Sequence, residues 1–298
     1  MSQSIKTAIF PVGGLGTRFL PATKSMPKEM LPVVDRPLIQ YAYEEAQEAG
    51  IEHFIFITGR NKNIISNHFD HAYELQKVLD EKQKSELLSL TKDWLPPAGN
   101  IAFIRQQVPM GLGHAVSCAR NFIGKEPFAV LLADEMFISK GRSLLRDMIE
   151  AYDDTGGNII GVAEVAREDT SKYGIIAPES EENGRIRVAD MVEKPKPEDA
   201  PSCMSIVGRY ILQPGIFDHL VDAKTGAGGE VQLTDALAGM IETTPTYGVP
   251  FEGKRFDCGN RRGFLEANIG FALQHPEMRD DILRIMRSFV ADADNKEV

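Results

Sequence analysis

Several residues spread along the chain have the types and local spacing that phosphate chemistry asks for. Gly13-Gly14-Leu15-Gly16-Thr17-Arg18 follows an apolar run at residues 7–12. Glycines admit positive φ and let backbone N–H groups approach a ligand that a Cβ would hold off. Such a turn, closed by Thr17 and Arg18, suits phosphate oxygens. Lys28, in Pro27-Lys28-Glu29-Met30-Leu31-Pro32, can bring a second cation to the same anion. Asp134 follows the apolar run at residues 127–133, and an acid emerging at a strand's carboxyl end can hold Mg2+ bound to phosphate oxygens. Asp257, in Arg255-Phe256-Asp257-Cys258-Gly259, is a candidate second ligand. Gln106 offers an amide able to pair with a base edge, and Gly111 would let backbone lie against that base. In Val192-Glu193-Lys194-Pro195, Lys194 can bind a monophosphate and Glu193 sugar hydroxyls. Glu230, in Gly228-Gly229-Glu230-Val231-Gln232-Leu233-Thr234-Asp235, can also accept sugar hydroxyls.

Each of these has a plainer reading. The glycine turn can be purely structural, either aspartate can be a helix N-cap, and Glu193-Lys194 can be a surface ion pair. The Glu230 turn can be ordinary helix capping. His114 reads as a structural histidine, and His68/His71 as a solvated helix face. Two familiar glycine motifs are excluded. A dinucleotide turn beginning at Gly14 fails at Phe19, and one beginning at Gly111 fails at Val116. Asp35 has the spacing of a ribose-binding acid but sits between Pro32 and Pro37. Neither Gly124-Lys125-Glu126 nor Gly253-Lys254-Arg255 completes a Walker A loop.

These residues need a scaffold of alternating strands and helices. The spacing predicts a strand at 7–12, a helix over 37–49 stopped by Gly50, and a strand at 53–58. Helices over 61–69 and 72–90, a strand at 101–105 and a helix over 114–121 follow, then the all-apolar strand at 127–133. That alternation implies a doubly wound sheet. Beyond residue 158 the rhythm changes to strand-like runs at 159–165, 174–177, 186–193 and 204–212, a partly antiparallel extension of the same domain. Helices are expected at 214–221 and 232–242, a short strand before Asp257, and a helical tail over 262–290 broken at His275-Pro276. The division is a catalytic domain over 1–261 and a C-terminal helical segment over 262–298.

With 298 residues and 43% hydrophobic content, the chain can bury a large core. A net charge of -10 argues against bulk nucleic-acid binding, so any polyanion must meet a local cationic pocket. Cys118, Cys203 and Cys258 are widely spaced and form no C-x-x-C, which suggests a reducing compartment without disulfides or structural zinc. No signal core or membrane-length apolar run is seen, so a cytoplasmic location is expected.

Taken in order, the motifs resemble the bacterial UTP–glucose-1-phosphate uridylyltransferases, also called UDP-glucose pyrophosphorylases. The likeness begins at Gly14-Leu15-Gly16-Thr17-Arg18-Phe19-Leu20-Pro21-Ala22-Thr23-Lys24 and Pro27-Lys28-Glu29-Met30-Leu31-Pro32. It continues through Gly111-Leu112-Gly113-His114-Ala115, Glu193-Lys194-Pro195, Gly229-Glu230-Val231-Gln232-Leu233-Thr234-Asp235 and Asp257-Cys258-Gly259, nearly the whole chain. Two departures stand out: Val12-Gly13-Gly14 replaces the commoner Ala-Ala-Gly, and Asp134-Glu135 replaces Asp-Asp or Asp-Val. The first acid is kept, and the role of Glu135 stays open.

The resemblance implies a Rossmann-like α/β nucleotide-diphospho-sugar transferase fold, with a mixed, mostly parallel sheet. It implies reaction of UTP with α-D-glucose 1-phosphate to UDP-glucose and pyrophosphate. By motif, Gly13, Gly14, Leu15, Gly16, Thr17, Arg18 and Lys28 would hold the nucleotide and its phosphates, and Gln106 and Gly111 uracil. Asp134 and Asp257 would bind Mg2+, and Lys194 the sugar phosphate. Glu193, Glu230 and the backbone at Gly174 and Gly208 would face glucose. A homodimer or homotetramer involving the final helices is implied too. The rivals are a dTTP- or ATP-using sister enzyme and, in another class, a silent nucleotide-sugar sensor.

Overall fold

The computed structural model describes residues 5–221, 226 and 229–294. Gly228 of the Glu230 turn, and the outermost residues of both expected domains, lie outside the described residues. The first half contains strands β1 (Thr7–Val12), β2 (Pro32–Val33), β3 (Arg36–Pro37), β4 (His53–Thr58), β5 (Ile101–Arg105) and β6 (Phe128–Leu131). Strands β7 (Glu135–Ser139), β8 (Asn158–Glu164), β9 (Gly174–Glu182), β10 (Arg185–Glu193), β11 (Met204–Leu212), β12 (Thr246–Pro250) and β13 (Gly253–Asp257) follow. The helices are α1 (Leu38–Glu48), α2 (Asn63–His68), α3 (Tyr73–Glu81), α4 (Ser85–Leu90), α5 (Leu112–Ser117) and α6 (Arg120–Ile123). They continue with α7 (Leu144–Thr155), α8 (Ile216–Val221), α9 (Leu233–Met240), α10 (Arg261–Gln274) and α11 (Arg279–Asp294).

Among the described residues, nine strands form one sheet in the order β5-β4-β1-β6-β11-β8-β12-β10-β9. The first four run parallel, as expected of strands joined through helices. At β11 the direction reverses: β11 pairs antiparallel with both β6 and β8, and β10 antiparallel with β12 and β9. The mixed α/β fold is therefore present, with the antiparallel strands continuing the same sheet. β7 and β13 pair separately, opposing Glu135 to Asp257.

Strand period explains the two cores. In β1, Ile9 faces one apolar layer with Ile55, Ile57, Val116 and Val130, while Ala8 and Phe10 face the other with Tyr43, Phe54 and Phe56. Helix α1 buries Leu38, Ile39, Ala42, Tyr43 and Ala46, the spacing of one helical face, and Gly50 follows at φ 92°. A third cluster packs Ala267 of α10 against Val33, Leu38, Phe256 and Cys258. The described part of α11 buries no residue.

Some expected elements differ. The helix over 72–90 is two helices, α3 and α4, broken where Gln83 takes φ 53°. The expected helix at 114–121 begins at Leu112 and splits after Ser117 into α5 and α6. Neither α7 nor β7 is among the elements expected from the sequence. His68 is not a solvated helix residue: its ring contacts Gln40 at 3.0 Å and packs 4.8 Å from Trp94, and burial lowers its pKa.

Candidate active site

A cavity of about 590 Å³ opens across the carboxyl ends of β1 and β6 and the neighbouring antiparallel strands. Every residue assigned a site role from the sequence lines it, from the Gly13–Arg18 loop to Asp257. Asp35 is not among its lining residues.

At one end of the cavity, the loop leaves β1 and turns at Gly16, whose φ is 65°. A Cβ at Gly16 would meet Thr23 and Lys28 at 3.2 Å, so the turn and the cation must lie this close together. Thr23 Oγ1 donates to the Gly16 carbonyl at 2.7 Å and pins the bend. Arg18 is exposed, with Nη1 reaching the Gly259 carbonyl at 3.4 Å. Lys28 Nζ donates to Asp134 Oδ2 at 2.5 Å. Burial works to lower the Lys28 pKa, but the carboxylates of Asp134 and Glu29 outweigh it and hold the ammonium above its usual value. Burial likewise opposes ionisation of Asp134, and the Lys28 charge overcomes it, leaving that carboxyl below its ordinary range.

Asp257 is brought beside Asp134 by the pairing of β13 with β7. A Cβ built on Gly259 would meet Asp257 Oδ1 at 2.8 Å and Asp134 Oδ2 at 3.0 Å, so the two carboxylates border one small space. That donor set fits Mg2+, which takes one or two carboxylates plus substrate phosphates and water. Among the described residues, no group of three or more His, Cys, Asp or Glu forms a fuller cage. Tyr173 O–H donates to Asp257 Oδ2 at 3.3 Å. Burial and the neighbouring Asp257 push its phenol up to about 12, so it stays protonated.

On another wall, Gln106 is buried behind Gly13, and Gly111 caps α5 with φ 101°. A Cβ on Gly111 would come within 2.7 Å of the Val231 carbonyl, which makes glycine obligatory in this approach. Opposite, a Cβ on Gly174 would meet Thr234 Oγ1 at 3.0 Å and Glu193 Oε2 at 3.2 Å. Thr234 donates to Glu193 Oε2 at 2.7 Å, while Lys194 Nζ pairs with Glu193 Oε1 at 3.0 Å. Gly208, at φ 69°, presents its backbone between Leu132 and Glu135. Glu230 Oε2 accepts from Gln232 at 3.4 Å.

Several supporting residues have partners that the sequence motifs do not reveal. Glu29, next to Lys28 in the chain and interacting with its charge, is 1% exposed and pairs with the buried Lys62 at 2.7 Å. Burial raises the Glu29 pKa and lowers that of Lys62, against their mutual attraction. Glu135 binds Arg255 through two hydrogen bonds of 2.7 and 2.8 Å, and Arg255 stacks on Tyr173 at 4.3 Å. Arg209, 1% exposed, donates to the Leu132, Gly208 and Glu135 carbonyls and pairs with Glu45. Its only sequence signal is a charge inside the apolar run of β11.

A glycine loop, two cations beside two convergent acids and a wall carrying Glu193, Lys194 and Glu230 thus share one cavity. The chain belongs to the nucleotidyl transferase family, whose model matches residues 7–272. It is 49% identical over 298 residues to UTP–glucose-1-phosphate uridylyltransferase of Bacillus subtilis, covering 99% of both chains. It is 48% identical over 285 residues to the same enzyme of Staphylococcus haemolyticus, covering 96% of this chain and 98% of that one. A solved UDP-glucose pyrophosphorylase from Acinetobacter baumannii superposes with a TM-score of 0.87 at 39% identity, covering 96% and 99% of the two chains. A UDP-glucose pyrophosphorylase complexed with UDP-glucose gives a TM-score of 0.82 at 43% identity, covering 91% of this chain and 100% of that one.

Proposed function

We propose that the protein transfers the uridylyl group of UTP to α-D-glucose 1-phosphate, yielding UDP-glucose and pyrophosphate. The observation that carries this is the meeting in one cavity of the cationic phosphate loop, the Gln106–Gly111 wall and the Glu193–Lys194 strand end, in a chain with full-length uridylyltransferase relatives. Backbone of Gly13, Gly14, Leu15, Gly16 and Thr17, with Arg18 and Lys28, holds the triphosphate. Gln106 and Gly111 read uracil. Lys194 takes the sugar phosphate, and Glu193, Glu230, Gly174 and Gly208 line the glucose.

A phosphate oxygen of glucose 1-phosphate attacks the α-phosphorus of UTP in line, and the bond to the β-phosphate bridging oxygen breaks opposite. A phosphate monoester has a second pKa of about 6, so the nucleophile is already ionised at neutral pH and needs no general base. The remaining task is to bring two anions together. Lys194 positions one, and Arg18 and Lys28 stabilise the other and the departing pyrophosphate. Mg2+ held by Asp134 and Asp257 would add Lewis-acid stabilisation of phosphate charge.

The protein acts in the cytoplasm as a homodimer or homotetramer. Residues 1–261 form its catalytic domain, and 262–298 its helical assembly segment. The exposed apolar residues Ile285, Met286, Phe289 and Val290 of α11 support that assignment. The deciding experiment is Mg2+-dependent pyrophosphate release from the four ribonucleoside triphosphates and dTTP, with glucose 1-phosphate. Strong preference for UTP is expected. Equal use of dTTP would indicate a relaxed or thymidylyl enzyme, and tight UDP-glucose binding without turnover a sensor.

A further inference from the structure

We infer that His114, which does not line the cavity, is a positioning residue that makes the site select a base donating from N3. The inference rests on the uridylyl-transfer reading and concerns how its base is chosen.

Gln106 is 6% exposed, so its amide has little freedom. Its Nε2 lies 3.2 Å from the Gly111 carbonyl and 2.9 Å from His114 Nδ1. A carbonyl oxygen only accepts, so the group facing it must be the NH2. The second amide hydrogen then meets His114 Nδ1, which must be the unprotonated ring nitrogen, with the proton on Nε2. Both donor hydrogens are thereby used inside the protein. What is left is Oε1, which sits 2.7 Å from where a Cβ on Gly13 would stand, at the cavity wall. Among the described residues, no donor is bonded to it.

The Gln106 side chain therefore offers the cavity an acceptor and no donor. Uracil and thymine carry N–H at N3 and can donate to it. Cytosine has a lone pair at N3 and would set acceptor against acceptor. Turning the amide over to suit cytosine would point Oε1 at the Gly111 carbonyl, which only accepts, and would oblige His114 to move its proton from Nε2 to Nδ1. Gly111 supplies one half of this lock through its backbone. His114, held in α5 three residues on, supplies the half that a side-chain substitution can remove.

The test compares wild type with His114→Leu, which removes the acceptor, and His114→Asn, whose Oδ1 can take the place of Nδ1. Steady-state kcat/KM is measured for UTP and CTP, and calorimetric binding for UDP and CDP without turnover. Thermal melts report folding. Wild type is expected to reject the cytidine nucleotide strongly, and His114→Leu to lose about tenfold or more of the uridine-to-cytidine ratio in both readouts. His114→Asn is expected to keep most of that ratio. An unchanged ratio in a folded His114→Leu protein would overturn the inference, as would equal wild-type binding of UDP and CDP. Absence of turnover with UTP would overturn the transfer reading, and the UDP-to-CDP binding ratio would still decide the role of His114.

Discussion

Lys28 Nζ lies 2.5 Å from Asp134 Oδ2 although 106 residues separate them. The pair joins the turn after β1 to the end of β6, so the phosphate loop and the proposed metal carboxylate are set by one contact. With both side chains about a fifth exposed, the pair is accessible to ligand yet shielded from full solvent screening.

Replacing Arg18 or Lys28 by alanine should therefore act on catalysis before stability. Removing one preorganised group facing developing phosphate charge is expected to lower kcat about 10²- to 10³-fold. Arg18 is exposed, so the melting temperature of Arg18→Ala should stay near wild type. Initial rates of pyrophosphate release, with a melt on the same sample, check this. Near-normal turnover in either variant would remove that residue from the proposed mechanism.

The pH dependence follows from the same pair. Lys28 is raised above its usual 10.5, so its contribution to stability is fully present below that value and fades only as pH climbs through the folded pKa. Asp134 is depressed below its usual 3.8, so its contribution is present above that value and is lost as pH falls through the folded pKa. Between these limits the pair stays charged. The acid limb of kcat/KM should accordingly track the phosphate monoester, near pH 6, and not the protein pair. A profile of kcat/KM against pH, in parallel with chemical denaturation at each pH, separates the two.

The Glu29–Lys62 pair should behave as a structural element. Lys62→Met leaves a buried carboxylate unpaired and is expected to cost about 3–5 kcal/mol in urea unfolding. The double variant Glu29→Gln with Lys62→Met should recover a substantial part of that loss. Full additivity of the two single substitutions would show that the pair does not act as a unit.

On the sugar side, Gly174→Ala is expected to raise KM for glucose 1-phosphate at least severalfold with little change in KM for UTP. The added Cβ meets Thr234 and Glu193 on the proposed glucose wall and lies away from the proposed phosphate loop. A matching rise in KM for UTP would show that the two subsites do not separate in this way.

Much of this was legible in the sequence for local reasons. The run into Gly13–Arg18 fixes a strand and a turn from neighbouring residues alone, and Leu38, Ile39, Ala42 and Ala46 mark one helix face. Asp134 and Asp257 were each ambiguous, because the observation that favours a shared ligand site over two N-caps is their meeting through the β7–β13 register, a contact between residues more than a hundred apart. Glu29 and Lys62 gave no signal for the same reason: a buried charge announces that it needs a partner, never which one. The 72–90 stretch is rich in helix-forming residues, and only the positive φ of Gln83 reveals the break.

The reversal of strand direction at β11 has a further consequence. The proposed nucleotide contacts come from loops of the parallel strands, whereas the proposed sugar contacts come chiefly from β9, β10 and β11 beyond the seam. On the proposed assignments each substrate would be recognised by its own half of the sheet, and β6 and β11 hold the halves together by antiparallel pairing. Such a division would make the two specificities largely separable, except where Gly111 lies against Glu230. A lineage, or a designer, can change the hexose accepted by rewriting the antiparallel half while the machinery for activating the nucleotide is inherited intact.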